Sequence, residues 1–164
     1  MLICAEHENF RRDALMTGSR KLLLAAGGSS LLVAVFQVVI SFFPDVSLYF
    51  GAPEFLVARR LLLLAAGLVA GLFFIGFGLY GLSGARVIRP LPWLKAGLAA
   101  TGLIYTARGL AVIPVLLIRF GVLRTDEPLI ESALISSLVS LAIGGLYLAG
   151  TIGAWKDLAH SGTI

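Results

Sequence analysis

The chain has 164 residues, 59 % of them hydrophobic and only 13 % charged, with a mean hydropathy of +0.97. Soluble domains carry about twice that share of charge, ~25 %, so composition excludes a water-soluble globule and points to lipid. The net charge of +4 does not mark a nucleic-acid surface, because the cations sit at the ends of apolar runs and no basic patch with interleaved aromatics occurs.

The first segment, residues 1–20, is polar: MLICAEHENFRRDALMTGSR. It reads either as a short cytosolic arm or as an extension upstream of a true start at Met16, since MTGSRKLLLAAGG is an ordinary opening for a membrane protein: a brief basic lead, then the span. Its Cys4 is the chain's single cysteine. One cysteine excludes an internal disulfide and a dithiol redox mechanism.

Four apolar runs follow: 22–43, 61–83, 96–118 and 132–155. A helix of ~20 residues crosses a hydrocarbon core of ~30 Å, and each run is long enough. None alternates with period two, so each reads as a helix rather than a barrel strand. The first run also exceeds the ~7–15 apolar residues of a cleaved signal sequence. Pro44 is expected to close the first span. Pro53 and Glu54 in GAPEF suit a helix start, which moves the second span's beginning to about residue 55. Pro90 and Pro92 precede the third, drawn from residue 94. The expected organisation is an all-α, polytopic four-helix transmembrane bundle over 21–156, with spans at about 22–43, 55–83, 94–118 and 132–155 and a short tail at 157–164.

Lys and Arg number eight on the side of the N-terminus (Arg11, Arg12, Arg20, Lys21, Arg86, Arg89, Lys95, Lys156) and four on the other (Arg59, Arg60, Arg119, Arg124). The positive-inside rule therefore expects both termini in the cytosol. Trp93 and Trp155 fall at the same expected interface, where indoles prefer to sit.

The third and fourth spans each carry a polar stripe at helical spacing: Gly97, Thr101, Tyr105 and Arg108 on one, Ser136, Ser140, Gly144, Tyr147 and Thr151 on the other. A short connection makes these helices antiparallel neighbours, so the stripes are expected to face each other or a shared interior, with Arg108 level with Gly144. Small residues four apart (Gly67 and Gly71; Gly145, Ala149 and Gly153) favour close packing, within one bundle rather than between copies.

Arg108 is the one charge inside a span. It lies near the midplane, where a cation costs at least ~2.5–3.5 kcal/mol on insertion scales. A guanidinium does not release its proton, and no Asp or Glu lies in any run. Its candidate partners are therefore neutral: Tyr147, Ser140, Gln37, Ser30 and exposed carbonyls, with Tyr147 favoured over Ser140 because helical side chains lean toward the N-terminus. Pro114 frees the Leu110 carbonyl as a weaker candidate. Arg108 is then either a structural tie between helices or an anion or polar-solute site, and the candidate polar site is Arg108, Tyr105, Thr101, Tyr147, Ser140 and Gln37.

Several chemistries are argued against. The two histidines, His7 and His160, lie outside the spans, so no paired haem ligands exist. No zinc-binding cluster, phosphate-loop lysine or intramembrane carboxylate occurs. The expectation is a non-enzyme without cofactors.

The stretch GLYGLSGARVIRPLPWLKAGL, followed by IYTARGL, resembles a loose group of small, uncharacterised four-helix bacterial inner-membrane proteins. The match rests on Tyr80, Ser83, Leu91, Pro92, Arg108 and Gly109 and covers about residues 70–120. The resemblance implies a bacterial inner membrane and four helices, and it implies no activity. The first functional expectation is thus an accessory or scaffold subunit, with lipid and a membrane-protein partner or a second copy around it and Arg108 as an interhelical tie. The alternative is a small oligomeric channel or transporter in which Arg108 meets an anionic or polar solute. Four helices enclose little room, so transport is expected to need a dimer.

Overall fold

Each apolar run forms a helix long and apolar enough to cross a bilayer: Thr17–Ile40, Arg60–Gly84, Leu94–Leu117 and Glu131–Trp155. The computed structural model describes residues 2–120 and 130–158, with side chains for 17–117, 120 and 131–155. Arg124, Asp126, Glu127 and His160 lie outside the described residues. Seven helices follow in order: α1 (Leu2–Ile40), α2 (Pro44–Tyr49), α3 (Glu54–Val57), α4 (Arg60–Gly84), α5 (Leu94–Gly109), α6 (Val112–Arg119) and α7 (Ile130–Leu158).

Three boundaries differ from the sequence expectation. The first span stops at Ile40 rather than Phe43: the N–H groups of Phe42 and Phe43 turn back to Val39 and Ile40, and Pro44 opens α2 instead of closing α1. The helix starting at Glu54 does not run on into the second span. Arg59, at φ −121° and ψ 89°, interrupts it, so α3 and α4 are separate. The third span is broken after Gly109. Pro114 offers no N–H to Leu110, whose carbonyl instead accepts Ile113 N–H at 3.0 Å, while Arg108's carbonyl accepts Ala111 N–H at 3.2 Å. These tightened i→i−3 bonds separate α5 from α6, and the Leu110 carbonyl is bonded to Ile113 rather than to Arg108.

The helices associate as two close pairs, α1 with α4 and α5 with α7, joined mainly where α1 meets α7. Small residues and short polar side chains fill the interior, and bulky apolar ones face outward, as lipid demands. Ser30, Thr101, Ser140 and Thr151 are buried, whereas Leu61, Leu72, Phe73 and Ile152 are exposed. Glycines set the approach distances. A Cβ on Gly81 would lie 2.6 Å from the Cα of Gly27, so α1 and α4 touch backbone to backbone. Gly109 abuts Leu141 and Gly144 abuts Thr106 in the same way, between α5 and α7. Gly67 and Gly71 face α1, while Gly145 meets nothing within 4 Å. Gly144 thus sits level with Thr106, two residues from Arg108, or about 3 Å along the helix.

The α4–α5 connection is pinned by Ser83. Its hydroxyl donates to the Arg89 carbonyl at 3.1 Å and accepts Leu91 N–H at 2.9 Å. Trp93 then enters α5 with a left-handed backbone, φ 57°, and Lys95 Nζ lies 5.1 Å from the Trp155 ring.

Gly81→Ala is expected to force α1 and α4 apart and to destabilise the protein by about 1–3 kcal/mol, the usual range for overpacking. Gly145→Ala, with open space around it, is expected to be neutral. Thermal unfolding of the two variants in detergent makes the comparison.

Candidate functional site

The two helix pairs are tied by a neutral group. The Tyr147 hydroxyl donates to the Phe77 carbonyl at 2.7 Å and lies 3.1 Å from Ser30 Oγ. A phenol has one proton, and the carbonyl takes it, so Ser30 donates to Tyr147. One side chain of α7 thereby joins α4 and α1. Tyr147 is fully buried and stacks on Tyr105, with ring centroids 6.0 Å apart and planes 12° from parallel. Phe74 and Phe77 close on Tyr105 at 6.0 and 5.8 Å.

Tyr147 is therefore not the partner of Arg108. Its hydroxyl is committed to Ser30 and Phe77, because α1 packs against α7 closely enough for Ser30 to reach it. Among the described residues, no hydrogen bond or ion pair joins Arg108 to any other group, and its side chain is exposed. It lines a cavity of about 680 Å³.

That cavity occupies the half of the bundle that holds α2 and α3. Its walls come from α1 and the turn after it (Gln37, Ser41), α4 (Leu63, Gly67, Phe74), α5 (Tyr105, Arg108) and α7 (Ser136, Ser140, Ile143), and the α2–α3 segment from Ser47 to Leu56 borders it. The opening arises because α4 and α5 touch over a short stretch only, and α6, beyond the break, packs mainly on α7. In the other half the interior is filled. Leu23, Ala26 and Leu98 are fully buried, and the aromatic cluster lies between them and the cavity. The cavity is thus a blind pocket, formed inside one chain without a second copy.

The structure brings four expected residues to this pocket: Arg108, Tyr105, Ser140 and Gln37. It does not bring Thr101 or Tyr147, which are buried in the bundle without lining the pocket. Ser41, Ser47 and the α2–α3 border were not singled out by sequence. Ser41 and Ser47 spend their hydroxyl protons on the Gln37 and Ile40 carbonyls, at 2.8 and 2.7 Å. Their oxygens remain as weak acceptors, and no sequence signal distinguishes such serines from packing residues.

Electrostatically the pocket is one-sided. Among the described residues, Arg108 is the single charged one in its lining, with no Asp or Glu beside it. Beside it, the Tyr105 hydroxyl is buried without a hydrogen bond among the described residues. A fixed cation without a partner among the described residues suits an anionic oxygen, whereas the Tyr105 hydroxyl has no exposed surface and does not open on the pocket. No group of three or more His, Cys, Asp or Glu able to hold a metal occurs among the described residues.

Tyr147→Phe removes a buried interhelical link and is expected to cost about 0.6–1.7 kcal/mol, the range for such bonds in membranes. Tyr105→Phe deletes a hydroxyl with no partner and is expected to leave stability unchanged. Chemical denaturation of the two variants in the same detergent separates them.

No family model matches this chain, and neither the curated proteins nor the solved structures contain a significant match to it.

Proposed function

We propose that the chain is a non-enzymatic solute-binding protein of the bacterial inner membrane, with both termini cytosolic, that takes up an anionic solute at Arg108 as part of a transport process. The reading is supported by one observation above others: the intramembrane guanidinium faces a cavity and has no partner among the described residues. A charge that costs at least ~2.5–3.5 kcal/mol to insert is not spent here on joining helices, since Tyr147 makes that link. An accessory subunit with Arg108 as its tie draws no support from this geometry. The blind end of the pocket favours a carrier or receptor over an open pore. The orientation rests on the eight-to-four distribution of Lys and Arg, and the pocket then opens on the outer half of the bilayer.

The site is testable without knowing its solute. In a Cys4→Ser background, Ser136→Cys places a thiol on the pocket wall. The sulfonate-bearing ethyl methanethiosulfonate is expected to modify it faster than the trimethylammonium analogue by about tenfold or more, as focused potentials allow. Adding Arg108→Gln is expected to bring the ratio toward one while leaving thermal stability unchanged. Equal rates in both backgrounds, or loss of folding with Arg108→Gln, would overturn the reading. The thiolate fraction cancels in the ratio, and guanidinium keeps its proton. With no other charged group among the described lining residues, the ratio is expected to stay flat from about pH 6 to pH 9.

A further inference from the structure

A second, smaller cavity of about 270 Å³ lies on the α4–α5 face, and it shares four residues with the central pocket: Ala70, Phe74, Tyr105 and Arg108. Its remaining walls are Phe73, Phe77 and Ile104. Phe73 and Ile104 are exposed on the outside of the bundle, the surface that meets lipid. Arg108 and Tyr105 therefore stand at a junction, with an apolar groove facing the bilayer on one side and the central pocket on the other. The junction lies between α4 and α5, on the last turn of α5 before the break that separates it from α6.

We infer that the ligand of this site is a membrane amphiphile with an anionic head, which enters sideways from the bilayer through the α4–α5 groove. The inference rests on the proposed anion site and names its ligand class. Three observations carry it. The combined space suits a molecule of drug or lipid-fragment size, ~300–1,000 Å³, and is far larger than a small inorganic ion needs. Among the described residues the groove presents apolar surface alone, so a hydrophilic anion would shed its water there with nothing to replace it. An acyl or prenyl chain already lies in hydrocarbon and loses nothing by resting against Phe73, Phe77 and Ile104. Its phosphate or carboxylate head gains the Arg108 guanidinium, which has no hydrogen bond or ion pair among the described residues.

Native mass spectrometry of the full chain in a neutral maltoside detergent tests this, with dioleoyl phosphatidylglycerol, dioleoyl phosphatidylcholine and inorganic phosphate as probes. One phosphatidylglycerol is expected to be retained at least about fivefold more than phosphatidylcholine, the scale of one Arg–anionic lipid contact. Arg108→Gln is expected to abolish the preference, and Arg108→Lys to keep part of it. Ala70→Phe, which fills the junction, is expected to reduce phosphatidylglycerol retention while the sulfonate selectivity at Ser136→Cys persists. Ile104→Trp at the groove rim serves the same purpose if Ala70→Phe does not fold. A lipid preference that survives Arg108→Gln would reflect surface cations and overturn the inference. Sulfonate selectivity with no lipid preference, or with inorganic phosphate retained instead, would overturn it while the anion site stands. Loss of selectivity and preference together would remove both readings.

Discussion

The Tyr147 hydroxyl bonds that join α7 to α1 and α4 are the constraint on which the rest of the bundle depends. In lipid there is no water to satisfy a stray donor, and apolar side chains gain nothing by leaving lipid for one another. Helices are held instead by close backbone approach and by hydrogen bonds between them. Both occur at one level here. Gly27 and Gly81 bring α1 and α4 into contact, and a Cβ on Gly81 would also come within 2.9 Å of the Tyr147 hydroxyl. The phenol thus reaches Phe77 and Ser30 across a crossing that only glycine permits. The Phe77 carbonyl has a second lone pair beyond its helical bond, so the tie is made without breaking the helix.

That node fixes one half of the bundle and allows the other half to part. α5 and α7 remain paired beyond it through Gly109 and Leu141, but Pro114 breaks the third span just past Arg108. α6 then follows α7, and α4 follows α1, leaving the space that Arg108 lines. The short helices α2 and α3 border that space and do not fill it. Cavity, charge and lateral groove are consequences of one arrangement: two tight pairs, clamped at one end and divergent at the other.

The four crossings were legible in the sequence because apolar runs of more than twenty residues have few alternatives. The stripes on α5 and α7 were legible because steps of three and four fix a face, and their buried members, Thr101, Tyr105, Ser140 and Tyr147, lie where that periodicity puts them. What periodicity does not carry is the identity of a partner on a third helix. Pairing α5 with α7 followed from their short connection. The approach of α1 to α7, which hands Ser30 to Tyr147, follows from no loop length. The break at Leu110 was only half legible, since Pro114 marks a weak point without saying whether the chain bends, stops or tightens there, and the break at Arg59 has no proline to mark it. The cavity was not legible at all. It is a property of how two pairs diverge, and no local residue pattern encodes it.

The contrast between the two tyrosines bears on what Arg108 does. They stack on one another, yet one hydroxyl is bonded and the other is buried without a hydrogen bond among the described residues. A carboxylate near Arg108 would have neutralised it and removed most of its insertion cost, as paired intramembrane charges usually do. None is among the described lining residues, so the positive potential stays available to whatever enters. Arg108 sits nine residues before Leu117, where the span ends, or about 14 Å along the helix. A ligand head must come that deep to meet it, through apolar walls that offer a free hydrophilic ion little in exchange for its water. A head that travels with its own hydrocarbon chain does not face that barrier alone, because the chain occupies the groove while the charge is handed from the interface to the guanidinium.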